Sequence, residues 1–189
     1  LPEITDAARM WLPMPASDRF QKVEVESIIA PGGRKTLKEE EYGNRILFLE
    51  LGPDDSGKPV EIRFKVERLE KAVYAAQLPV PQKYIVPEIP ETAAGLFRAI
   101  AESVVEGKKG DLGRARALYD HVIDRMRYMK YGEGWGKGDA MYACDVQTGN
   151  CSDFHSYFIA LSRAAGIPAR FAIGAAIPSE RNDGGIDGY

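Results

Sequence analysis

Strict alternation of apolar and polar residues marks the front of the chain. In VEIRFKVERLE, residues 60–70, Val60, Ile62, Phe64 and Val66 point one way and Glu61, Arg63, Lys65 and Glu67 the other, the two-residue period of a half-buried strand. QKVEVESIIA, residues 21–30, repeats the pattern with Val23, Val25 and Ile29 on its apolar side. NRILFLEL is apolar on both faces from Ile46 to Leu49, which predicts a strand covered on each side. Turn-forming PGG at 31–33 and GPDDSGKP at 52–59 separate these runs. Short strands divided by such turns predict an antiparallel sandwich-like domain.

The pattern then changes. LPVPQKYIVPEIP carries Pro79, Pro81, Pro87 and Pro90 and reads as an extended connection. Beyond it the apolar period becomes helical: Leu96, Ile100 and Val104 form one stripe, and Leu118, Val122 and Met126, with Ala115 and Tyr119, form another. Asp111 is the expected N-cap of that second helix. YGEGWGKGDA, residues 131–140, has glycine at 132, 134, 136 and 138 and predicts a loop able to line a site. The expected organisation is a β-sandwich-like domain over 1–78, a proline-rich connection over 79–91 and a second domain over 92–189.

Composition narrows the function. Of the 189 residues 44% are hydrophobic and 28% charged, so the chain can bury a core. The formal net charge is −3 with no basic run, which argues against a nucleic-acid partner. No stretch approaches 18 consecutive apolar residues, so no membrane-spanning segment is predicted. The opening LPEITDAARMWLPMP has neither an initiator Met nor the regions of a signal peptide, and a processed or trimmed start is expected. The two cysteines, Cys144 and Cys151, form no disulfide framework, although one bridge between them stays open. A zinc site from both cysteines, His121 and His155 matches no common ligand spacing, and no metal is expected.

After Gly149 comes a helical pattern with Phe154, Tyr157 or Phe158, Leu161 and Ala165 at spacings of three and four, stopped by Gly166 and Pro168. Asn150 is a favoured N-cap, which puts Cys151 at the first helical position and Asp153 in the first turn. The thiolate is the nucleophilic form of cysteine, and the unsatisfied N–H groups of a helix start favour it. Position alone leaves two readings of Cys151, a nucleophile or an incidental small residue in a cap.

The segment GNCSDFHSYFIALSRAAGIPARFAIG, residues 149–174, closely resembles the nucleophile segment of the bacterial transglutaminase-like superfamily. Its Gly-x-Cys-x-Asp start, its apolar helix and the GIPAR turn at 166–170 carry the likeness, and GWGKGDAMYACD upstream is similar too. The resemblance implies an α+β protein: an antiparallel β-sandwich-like domain followed by a papain-like, transglutaminase-like core with its nucleophile at a helix N-terminus. It implies a cysteine protease or acyl transferase acting on peptide or isopeptide amides through a Cys thioester, with Cys151 as the nucleophile and its N–H as oxyanion donor. The implied partner is a protein or peptide substrate, with no cofactor. It further implies a periplasmic, cell-envelope or secreted location.

That family carries its histidine on a strand after the nucleophile helix and its aspartate further on. This sequence reads GGIDGY at 184–189 and matches neither. The expectation is a core truncated before both, inactive or nearly so as it stands. The alternative is a non-catalytic transglutaminase-like binding module of the bacterial cell envelope. His155, four residues after Cys151, is a candidate base or a structural residue. Trp135 and Gln147 are candidates for a second oxyanion donor through an indole or amide N–H. Asp153 either caps the helix or contacts a neighbouring loop, and Cys144 is structural or a redox partner of Cys151.

Overall fold

A computed structural model describes residues 1–70, 81–176 and 187–188, and the chain packs as two compact units, Leu1–Ala76 and Gln77–Tyr189. The first unit is built of β1 (Ala8–Met14), β2 (Gln21–Ile29), β3 (Gly33–Lys38), β4 (Arg45–Leu51) and β5 (Glu61–Arg68). These form two antiparallel sheets, one in the order β1-β4-β3 and the other pairing β2 with β5. The central strand β4 buries Leu47, Leu49 and Leu51, and residues of both sheets, Met10 and Leu12 on one side and Val25, Ile28 and Ile62 on the other, join the same apolar cluster.

Two expectations for this unit are corrected. Ile29 is exposed and Ile28 points inward, because the pairing with β5 skips a residue between Val25 and Ser27. A bulge adds one residue to one strand and inverts the alternation beyond it. The coverage of β4 on each face is uneven. Leu47 and Leu49 are buried on one side, whereas Ile46 and Phe48 are half-buried on the other, with the Trp11 ring 5.3 Å from that of Phe48. Strand β3 escaped sequence reading because GRKTLK is exposed along its whole length and has no apolar period.

Residues 79–80 of the proline-rich connection lie outside the described residues. Its remainder is not extended throughout, since Gln82–Tyr84 close a single 3₁₀ turn behind Pro81. Four helices follow: α1 (Glu91–Val105), α2 (Gly110–Arg125), α3 (Ala140–Val146) and α4 (Cys151–Ala164). All three others pack on α4 around a core that includes Phe97, Leu118, Val122, Ala143, Tyr157 and Leu161. Leu118, Val122 and Met126 are buried as their spacing predicts, but Tyr119 is exposed. In α1 the fully buried residues are Ala93, Phe97 and Ala101; Ile100 and Val104 of the predicted stripe pack half-buried against the same core, but Leu96 is 46% exposed and Phe97 0%. Asp111 sits inside the first turn of α2, and Lys109 occupies the cap.

Short strands frame α4. β6 (Arg127–Tyr128) runs parallel to β7 (Thr148–Gly149), and β8 (Ala175–Ala176) pairs antiparallel with β9 (Asp187–Gly188). No described helix is long and apolar enough to cross a membrane.

Candidate active site

The helix start that carries Cys151 is fixed by its own sequence. Asn150 is extended, and its side-chain Oδ1 accepts the Ser152 N–H at 2.9 Å. Asp153, three residues on, returns the favour: its Oδ2 accepts the Asn150 N–H at 2.9 Å. This reciprocal pairing is a capping box. The Asn150 carbonyl takes the N–H groups of Asp153 and Phe154, each at 3.1 Å. Three of the four N–H groups in the first turn are thereby bonded, and among the described residues that of Cys151 has no acceptor. The thiol on the same residue is free and exposed.

Asp153 does more than cap. Its side chain also accepts the Gly136 N–H on Oδ2 at 2.6 Å and the Gly138 N–H on Oδ1 at 3.1 Å, so it is both a capping residue and a loop contact. The glycine-rich segment is therefore drawn across the first turn of α4. A second support comes from α3, which Asp139 caps by accepting the Met141 and Tyr142 N–H groups. From there the Tyr142 hydroxyl donates to the Tyr131 carbonyl at 2.9 Å, and its ring lies so close to Gly134 that a Cβ there would fall 2.3 Å away.

Trp135 rides on this loop, half-buried, with the Lys130 ammonium 5.6 Å from its ring centroid. Gln147 ends α3 in a left-handed conformation, φ 57°, and its carbonyl accepts the Arg127 N–H at 2.8 Å, which joins β6 to β7. His155 is exposed one turn along α4 from Cys151, its ring edge-on to Phe171 at 5.3 Å between centroids. No hydrogen bond joins this imidazole to the Cys151 thiol among the described residues. The loop is thus bonded to the same first turn that begins at the exposed Cys151.

The second thiol is differently placed. Cys144 is half-buried on α3 and hydrogen-bonded to the Tyr157 hydroxyl, which lies 3.3 Å from Nε2 of His121 on α2. Burial pushes the Cys144 thiol up, only partly opposed by the Tyr157 hydrogen bond, and burial likewise raises the Tyr157 phenol. Both cysteines are free, and no group of three metal-ligating side chains occurs among the described residues. The sequence marks His121 as a satisfied or exposed helix residue, and its half-buried contact with Tyr157, 36 residues on, is the partner that no local pattern names.

The far end of α4 is held as firmly. Gly166, at φ 74°, closes the helix, and the buried Arg163 donates to the Ala169 carbonyl at 2.9 Å, the Val86 carbonyl at 3.0 Å and Glu88 at 2.7 Å. The GIPAR turn is thereby tied to the segment before α1.

An exposed thiol and an uncommitted N–H thus sit together at a capped helix start on a packed helical core. Residues 98–185 match the model of the transglutaminase-like superfamily, which covers Cys151, α4 and the GIPAR turn. A solved structure described as a "Putative Cysteine Protease" from Cytophaga hutchinsonii has the same fold, with a TM-score of 0.68 and 17% identity over 97% of this chain and 66% of its own. An uncharacterized protein of Haemophilus influenzae is 24% identical over 87% of this chain. The present chain spans about half the length of that curated relative, 49%. The expected α+β architecture is found, and the expected transglutaminase-like likeness is matched over residues 98–185.

Proposed function

We propose that this protein is a thiol enzyme, a protease or acyl transferase, that cleaves peptide or isopeptide amides with Cys151 as nucleophile. One observation carries the reading. An exposed thiol and an N–H group without an acceptor sit on the same residue, while the neighbouring first-turn N–H groups are all bonded. Nucleophile and oxyanion donor then reach one carbonyl together.

In this chemistry the Cys151 thiolate adds to the amide carbon. The carbonyl electron pair moves onto oxygen, where the Cys151 N–H stabilises it. Collapse of the tetrahedral adduct breaks the C–N bond, and the amine leaves with a proton, giving a thioester. Water or a second amine then attacks the thioester and releases the thiolate, completing hydrolysis or acyl transfer. Trp135, on the loop bonded to the first turn of α4, is the candidate wall and second donor, and Gln147 is the other candidate donor. His155 shares a face of α4 with Cys151 but is occupied by Phe171. We therefore assign it a supporting role and expect the base on a later strand, as the resemblance implies. A substrate in the bacterial cell envelope rests on that resemblance alone.

The test is acylation by the p-nitrophenyl ester of an N-acyl amino acid, whose good leaving group lessens the need for proton delivery. We expect one equivalent of nitrophenolate per chain, the acyl group on Cys151, and loss of both in Cys151→Ala. Acylation of Cys151 no faster than that of Cys144 overturns the reading. On a peptide amide, residues 1–189 should turn over at no more than trace rate. Robust amide turnover abolished by His155→Ala would instead make His155 the base.

A further inference from the structure

Asp153 is 0% exposed, a depth that capping does not demand. A capping acid at the third helical position is satisfied by one N–H and ordinarily keeps its other oxygen in water. Here the two oxygens collect three backbone N–H groups from two separate segments, Asn150 at the helix start and Gly136 and Gly138 in the loop.

The surrounding glycines fit that arrangement. Gly136 and Gly138 have φ of 83° and 68°, values that turn successive amides toward one acceptor and that side chains disfavour. A Cβ on Gly136 would come within 3.2 Å of the side-chain Nδ2 of Asn150, so the loop lies tightly on the cap. A Cβ on Gly149 would fall 2.4 Å from Oδ2 of Asp153. Glycine on each side thus makes room for the carboxyl group.

We infer that Asp153 is a positioning residue that locks the loop carrying Trp135 to the first turn of α4, the turn that begins at Cys151. The same carboxyl group holds the Asn150 N–H and so helps leave the Cys151 N–H as the uncommitted donor. The positioning role rests on the proposed thiol chemistry; the lock itself does not. An Asp153→Asn side chain has nearly the same shape but turns an NH2 group toward N–H donors, so at least one of the three bonds must go.

Amide hydrogen exchange on the unaltered protein tests the lock directly. We expect the Gly136, Gly138 and Asn150 amides to exchange together, at least about 100-fold slower than unprotected loop amides. Exchange of Gly136 and Gly138 at unprotected rates overturns the lock. In Asp153→Asn, on a Trp11→Phe background, acrylamide should quench Trp135 more readily. Cys151 acylation by the p-nitrophenyl ester should fall about tenfold or more while Cys144 alkylation stays unchanged. A general loosening of the core would instead expose Cys144 as well, and that result, or a folded variant with unaltered Cys151 acylation, overturns the positioning role. Should Asp153→Asn not fold, Gly138→Ala loosens the lock from the loop side, since a side chain disfavours its φ of 68° while the added Cβ meets nothing closer than 3.8 Å, and the same two outcomes decide. A wild-type chain with protected amides but no preference for Cys151 sinks the thiol chemistry and leaves the lock standing.

Discussion

Gly149 joins β7 to the helix start with no space for a methyl group, since its Cβ would fall 2.5 Å from that of Asp153 and 2.4 Å from the carboxyl Oδ2. Gly149→Ala must displace a buried side chain that holds three amides. We expect it to destabilise the fold by roughly 1–3 kcal/mol, read from urea midpoints, and to slow Cys151 acylation. An unchanged midpoint would mean that the carboxyl group moves freely. At this scale the cap was legible: Asn150 and Cys151 stand where the sequence expects them, because a cap is made by residues two or three apart. The second duty of Asp153 was only one of two alternatives, since Gly136 lies 17 residues away and no local pattern pairs them.

Helix α4 is pinned at both ends by groups from other elements. The buried Arg163 holds two carbonyls and the Glu88 carboxylate, yet the Glu88 side chain is 68% exposed. The fork on the carbonyls should matter more than the ion pair. Arg163→Met is expected to cost roughly 2–3 kcal/mol by leaving acceptors unpaired, and Glu88→Gln less than about 1 kcal/mol, both measured by chemical unfolding. Equal losses would make the ion pair the stronger tie. Between α2 and α4, burial lowers the pKa of His121, the Arg125 charge adds to this, and Asp124 opposes it. A histidine with a depressed folded pKa gives stability that is present above its unfolded value of about 6.5 and is lost as pH falls. Between pH 7.5 and 5.5 the wild type should therefore lose more thermal stability than His121→Gln. Equal losses would place the acid sensitivity elsewhere. The helices themselves were legible from their 3.6-residue period, but in α1 Leu96 stood in for Phe97, because both are apolar and only packing selects Phe97.

Each unit of the molecule owns a separate apolar cluster, one lying within residues 1–62 and the other within 89–167. A unit with its own core can fold by itself. Residues 77–189 made alone should melt cooperatively and keep the preference for acylation at Cys151, as circular dichroism and mass spectrometry would show. A non-cooperative melt would mean that the first unit is needed for folding. The strands of the first unit were partly legible. Alternation found β2 and β5, but β3 was missed because an exposed edge strand has no apolar period, and the bulge in β2 shifted its inward face.

By itself the sequence determined what is encoded over short distances: the strand and helix periods, the capped helix start, the thiol at its first position and the resemblance carried by residues 149–174. Caps and periods depend on neighbours within one or two turns, so they can be read along the chain. Tertiary structure alone decided which acid is buried, and which of the two thiols is hydrogen-bonded to a tyrosine and which is exposed. Each of these turns on hydrogen bonds between segments well apart in sequence, where a buried polar group takes whichever partner the packed core brings to it.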